Sequence, residues 1–273
     1  MSDDEVVISA RGVEQSARAR LRRSLPLIVT WAGRDLRTRY RQSLLRSGWS
    51  FVQPLTVLVI YGWVLTSVLD VSSGDVPYLT FAWAGIVPFT FFSSALGQGV
   101  GSVQQAGPVI SRVYFPRDVL PLSVVLAGSV DLGIMLVTLV VVAWVQVGPP
   151  SVYLLGLLPV LAVLYLWTAA VTVAASAVTV YRRDLNFAVP LALRVLFIVT
   201  PIMYPAELVA RTAPWLNTVN PLAVVVEGVR SAIYGERWPS GTPLTAQAIV
   251  GLVALVLALA LFRRLEPRMS DFV

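Results

Sequence analysis

The sequence predicts an all-α integral membrane protein with six transmembrane helices, and three observations carry that prediction. Hydrophobic residues fill 56% of the 273 positions and charged residues 13%, too few charges to cover a water-soluble domain of this length. No charge occurs from Leu132 to Tyr181, a gap that holds two crossings of about 20 residues each. The basic residues gather between apolar runs, 10 of the 21 lying between Arg11 and Arg46.

The elements follow in order. Residues 1–25 read as a polar tail. The next segment is patterned, with Ile28, Ala32, Leu36, Tyr40 and Leu44 at i+4 spacing, Leu27 and Trp31 widening that face, and Arg34, Arg37 and Arg41 opposite. A helix of this kind lies in the membrane plane, its aromatics at headgroup level and its arginines toward anionic lipid. A positive N-terminal stretch that merely sets topology would carry the same charge, so the residues leave both roles open.

The first span is Phe51 to Leu69, opened by Pro54 in the first turn, where its missing N–H costs nothing. Tyr78 to Leu96 is the second, with a kink or break expected at Pro88. Gly101 to Asp118 is a polar connection long enough for a short helix that projects from the membrane and docks a partner. Val119 to Val147 and Val152 to Val180 are the third and fourth spans, joined by the tight turn Gly148-Pro149-Pro150-Ser151. Leu185 to Met203 is the fifth, interrupted by Arg194 and ended by Pro201 and Pro205. The stretch 206–234 is too short and too charged to cross and reads as re-entrant or interfacial helices. Leu244 to Phe262 is the last span.

Arginine placement orients the bundle. With both termini cytoplasmic, the inner segments collect 17 arginines and the outer loops only Arg211, Arg230 and Arg237. No repeat or second soluble domain is evident, so residues 1–273 form one transmembrane domain.

Composition also limits the chemistry. The chain has no Cys, no His and no Lys. That excludes thiol nucleophiles, imidazole bases, Schiff-base lysines and His/Cys zinc sites, and it excludes a P-loop, whose Lys reaches the β and γ phosphates. No catalytic residue, metal site or nucleic-acid partner is expected, and any nucleotide-driven work must be powered by another chain.

Two residue sets are candidates for a transport path. Asp131 and Arg194 sit near the middle of their spans, where a charge costs about 2.5 to 3.5 kcal/mol, so they pair with each other or line a water-filled cavity. Tyr61, Trp83, Phe89 and Phe92 belong to the aromatic set, whose rings could stack on sugar faces or simply fill the core and the interfacial belts.

Several local strings go further: Arg39-Tyr40-Arg41-Gln42-Ser43-Leu44-Leu45 with Trp49 and Gln53-Pro54, Val113-Tyr114-Phe115-Pro116-Arg117-Asp118, Tyr181-Arg182-Arg183-Asp184, Pro201-Ile202-Met203-Tyr204-Pro205, Asn220-Pro221-Leu222 and Phe262-Arg263-Arg264-Leu265-Glu266-Pro267-Arg268. In this order they resemble the permease subunit of ABC exporters for O-antigen, capsular polysaccharide and teichoic acid, from about Trp31 to the C-terminus. One departure is Arg46, where the family usually has Gly after the Leu-Leu pair.

The resemblance implies a homodimeric permease in the bacterial cytoplasmic membrane, with six spans per subunit. Two ATP-binding subunits would carry ATP and Mg, this chain binding no cofactor, and a lipid-linked polysaccharide would leave through a conduit between protomers. The family's gate helix maps onto residues 26–47, with Trp31, Arg34, Arg37, Tyr40 and Arg41 at the substrate entrance. Its coupling helix maps onto 101–115, with Val109, Arg112, Val113 and Tyr114 facing the ATPase, and its external re-entrant helices onto 206–234. The same fold could serve a drug, peptide or small-glycolipid exporter. A membrane-embedded glycosyl or lipid transferase is disfavoured by the missing His and Lys.

Overall fold

The computed structural model describes residues 17–41, 76–110, 115–234 and 238–272, together with the helical positions Thr56, Ile60 and Trp63. The first predicted span, with Tyr61, otherwise lies outside the described residues, as do Arg46 and the strings around Trp49 and Pro54. All regular structure among the described residues is helical. The helices are α1 (Ala17–Arg41), α2 (Tyr78–Gly99), α3 (Ser102–Gln105), α4 (Gly107–Ile110), α5 (Val119–Gln146), α6 (Leu157–Thr179), α7 (Leu185–Val199), α8 (Ala206–Thr212), α9 (Leu216–Val219), α10 (Pro221–Tyr234) and α11 (Gly241–Leu265). Short 3-10 turns precede α6 at Val152–Gly156 and follow α11 at Glu266–Asp271.

Four helical stretches are long and apolar enough to cross a membrane: Tyr78–Gly99, Val119–Gln146, Val152–Thr179 and Gly241–Met269. They coincide with the second, third, fourth and last predicted spans. The chain is thus a multi-pass, all-helical membrane protein. Helix α2 runs through Pro88 without a break, so the discontinuous helix considered for this span does not form. At the 148–151 turn Gly148 has φ +139°, a conformation that side chains with a Cβ rarely adopt.

The fifth predicted span is shorter than expected. Helix α7 stops at Val199, Thr200 is extended, and the chain turns through Pro201 to Pro205. Proline cannot donate the backbone bond that would continue the helix, and it pushes the preceding residue out of the helical region. The turn then packs onto α2, where a Cβ on Gly85 would come within 2.7 Å of the Ile202 carbonyl oxygen.

Helix α2 is the hub. It packs against α5, α6, α7 and α10 and is buried over most of its length, with Trp83, Ile86, Phe89, Phe91 and Phe92 inside the main apolar core. A second apolar cluster at the opposite end from α10 gathers Val103, Ile110, Phe115, Val180, Phe262 and Met269. Helix α1 begins nine residues earlier than the predicted 26–47, so part of the expected tail is helical and Pro26 lies inside the helix. The Thr30 hydroxyl donates to the Pro26 carbonyl at 2.8 Å.

The 206–234 region holds α8, α9 and α10, of which α10, at about 21 Å, is too short to cross a bilayer. Leu222 to Val226 and Val229 on α10 are buried against α2 and α6. Arg230, counted by sequence as an outer-loop charge, is 3% exposed. It donates to Glu227 Oε1 at 2.8 Å and to the Ile202 carbonyl at 2.7 Å, and its guanidinium sits 3.6 Å from the Phe81 ring centroid. A buried guanidinium stays tolerable when charge, hydrogen bond and ring face all meet it.

Candidate functional site: the junction of α1 with the 101–118 segment

The structure brings together two segments that sequence treated separately. Helix α1 lies along α5, with Ala32 buried, Trp31 and Leu36 half-buried, and Arg34 and Arg37 exposed, as the i+4 pattern requires. The Trp31 ring stacks on Phe115, centroids 5.7 Å apart with a 26° tilt. The apolar face of α1, expected by sequence to face the membrane, therefore rests on protein. Arg34 is not on the opposite side from Trp31: its guanidinium lies 4.4 Å from the Trp31 ring centroid, because residues three apart are neighbours on a helix surface. Tyr40 and Arg41 lie in the last turn of α1, and their side chains fall outside the described residues.

Between α1 and its neighbours is a cavity of about 340 Å³. Trp31, Arg34, Asp35 and Thr38 line one side; Gln98 of α2 with Ser102 and Gln105 of α3 line another; Leu120, Ser123 and Val124 of α5 close it. Sequence reasoning missed Asp35 and the amides and hydroxyls. The available signal was Asp35 itself, the one acid in an arginine-rich helix, four residues from Trp31 and so on the same face.

The described parts of the 101–118 segment, residues 101–110 and 115–118, are seated on the bundle and do not stand clear of it. Val103, Ala106 and Ile110 are buried in the second apolar cluster, and Val109 packs against it. Gln104 donates from Nε2 to the Thr179 carbonyl at 2.9 Å and accepts from Asn186 Nδ2 at 3.2 Å, fastening α3 to the α6–α7 corner. Arg112, Val113 and Tyr114 lie outside the described residues.

Three of the motif strings meet at this end. The Arg117 backbone N–H donates to Glu266 Oε1 at 2.9 Å, and its Nη1 donates to the Glu266 carbonyl at 2.9 Å. The Tyr181 hydroxyl donates to the Leu265 carbonyl at 2.7 Å, and its ring packs on Phe272. A fourth and fifth string meet elsewhere: Asn220 donates to Thr200 Oγ1 at 2.9 Å, just ahead of the Pro201–Pro205 turn, and accepts the Leu222 N–H at 3.0 Å to start α10.

Residues 26–234, most of the chain, match the family described as ABC-2 type transporter. The chain belongs to the ABC-2 type transporter family. It is 29% identical over 251 residues to the O-antigen export system permease protein RfbA of Myxococcus xanthus, covering 90% of this chain and 94% of that protein. It is 27% identical over 252 residues to the protein of the same name from Klebsiella pneumoniae, covering 90% and 95%. It is 24% identical over 246 residues to the polysialic acid transport protein KpsM of Escherichia coli, covering 86% and 92%.

Within this ABC-2 type transporter the aromatics named for a path sit mostly in the core. Trp83 is 2%, Phe92 4% and Phe89 8% exposed, and Phe89 meets Phe197 edge-on at 5.1 Å. Asp131 is half-buried on α5 and lines a cavity of about 50 Å³ with Thr90, Phe91, Ser94 and Gly128. Arg194 is on the exposed face of α7, and no ion pair joins Arg194 to Asp131. Helices that are apolar all round carry no stripe to reveal which face a lone charge will take, so the pairing was not legible.

Proposed function

We propose that the chain is the permease subunit of an ATP-driven ABC exporter that moves a lipid-linked polysaccharide across the bacterial cytoplasmic membrane. It works as a homodimer with six spans per subunit and both termini cytoplasmic, and two ATP-binding subunits carry ATP and Mg. The names of the relatives, O-antigen export permease and polysialic acid transport protein, support the cargo class. The family assignment supports a subunit without an ATPase site of its own.

The observation that carries the mechanism is the Trp31–Phe115 stack, which links the proposed gate helix to the segment proposed to receive the ATPase stroke. A movement of the 101–115 segment is then felt by α1 directly. Arg34, Arg37 and Arg41 would offer planar, permanently charged forks to the cargo's phosphate at headgroup depth, and Trp31 and Tyr40 would hold the helix there. Val109, Arg112, Val113 and Tyr114 would meet the ATP-binding subunit. Helices α8 to α10 would form the external re-entrant region.

Arg194 supports a conduit between the two copies. On α7 it shares an exposed face with Phe187, Leu191, Val195 and Ile198. An exposed arginine at mid-span is costly against lipid, so this face turns toward water or a second copy. Asp131, Trp83, Phe89, Phe92 and Tyr61 are then candidates for its walls or for the packing behind them.

Purification of the tagged chain from its own cells tests the reading. An ATP-binding subunit and a glycan-bearing lipid should co-purify, and ATP turnover of the complex should rise when that lipid is added. Recovery of the chain without either partner would contradict it.

A further inference from the structure

Helices α6, α7 and α11 leave a groove of about 700 Å³ whose walls are entirely apolar, among them Val171, Val178, Leu185, Leu257 and Leu261. It shares Val171 and Ala175 with a second, largely apolar cavity of about 330 Å³ between α2, α6, α7 and the start of α10. The groove runs to the end of the bundle at which α6 and α11 both finish, for the Tyr181–Leu265 hydrogen bond joins those two ends. Arg182 and Arg183 follow Val178 by four and five residues, just past the end of α6, and Arg263 and Arg264 follow Leu261 by two and three residues. All four arginines are exposed, and none of their side chains has a hydrogen-bond or ion-pair partner among the described residues.

An open apolar groove with exposed, unpaired arginines at the ends of the helices that form its walls is complementary to one class of molecule: apolar chains joined to a phosphate. Neither half specifies it alone. Any acyl chain could wet the groove, and any anion could approach the arginines, but only an anionic lipid satisfies both at once. The groove-facing side of α7, with Leu185, Val189 and Leu196, is opposite the face that carries Arg194, so the site stays open beside a second copy seated there.

We propose that the α6–α7–α11 groove is a binding site for an anionic phospholipid, its acyl chains lying in the groove and its phosphate held by Arg182, Arg183 and Arg264. The lipid would brace α7, which packs less extensively than the other long helices among the described residues, at the same corner where Gln104 and Asn186 fasten α3.

Native mass spectrometry of the full-length chain in mild detergent, with an equal mixture of phosphatidylglycerol and phosphatidylcholine, tests this. Each arginine near an anionic surface is worth roughly a five-fold preference, so Arg183→Gln with Arg264→Gln should cut the glycerol-to-choline ratio of bound lipid by about 25-fold. The filling change Ala254→Phe should lower retention of both lipids, and Arg211→Gln on α8, an exposed arginine away from the groove, should leave the ratio unchanged. The proposal is overturned if the double variant keeps the wild-type ratio, or if Arg211→Gln lowers it as much.

Discussion

Helices α2 and α11 can both cross a membrane, yet they occupy opposite environments. Helix α11 is the more apolar, a run of Leu, Val and Ala, and most of it is exposed, including Ile249, Val253, Val256 and Leu257. Helix α2 carries Thr80, Thr90, Ser93, Ser94 and Gln98, and it is almost wholly buried. In water the order would be reversed. In a bilayer the lipid tails are as apolar as leucine, so burial is decided by shape and by polar groups that need partners. Thr80 finds Gln146 at 2.7 Å, and Gln98 faces the α1 cavity. The helix with imperfect hydrophobicity is the one around which the site is built.

This contrast can be broken most sharply at Gly85. Leucine there would drive its Cβ into the Ile202 backbone, so Gly85→Leu should prevent recovery of a monodisperse protein or cost about 3 kcal/mol. Val253→Ala, on the exposed face of α11, should change thermal stability by less than about 0.5 kcal/mol. Equal sensitivity at the two sites, read by a thermal-shift assay in detergent, would remove the distinction between hub and lipid-facing helix.

The buried Arg230 of α10 and the exposed Arg194 of α7 give the next largest effect. Arg230→Gln strips the Ile202 carbonyl and Glu227 of their donor and should cost about 2 kcal/mol. Arg194→Gln should leave stability within about 0.5 kcal/mol, because that side chain is exposed and supports no packing in the protomer. Its effect should fall on export. A stability loss at Arg194 matching that at Arg230 would mean that α7 is packed in a way the structure does not have.

The apolar runs between arginine clusters made four of the spans legible, since length and charge are one-dimensional properties. The end of α7 was half-legible: Pro201 and Pro205 were visible, but the early stop at Val199 depends on the turn that Gly85 admits. Arg230 misled because a charge in a loop-like stretch looks the same whether solvated or buried under Phe81. Trp31 and Phe115 are far apart in sequence, and no periodicity in either segment points to the other. Asp35 was hidden by the arginines around it.

The smallest energetic prediction concerns that junction. Aromatic pairs are worth about 0.5 to 1.5 kcal/mol beyond their burial, so a double-mutant cycle with Trp31→Leu and Phe115→Leu should show a coupling of about 1 kcal/mol. Additive losses would mean that the rings touch without supporting each other.

On the proposed function its consequence is larger than its energy, because the stack would pass a movement of the 101–118 segment to α1. The direct measurement is ATP turnover by the reconstituted permease–ATPase complex, with and without lipid-linked glycan, for the wild type and Trp31→Leu. The expected result is unchanged assembly and basal turnover with stimulation by the glycolipid lost in Trp31→Leu. Full stimulation in the variant, with the complex intact, would contradict the coupling of α1 to this segment.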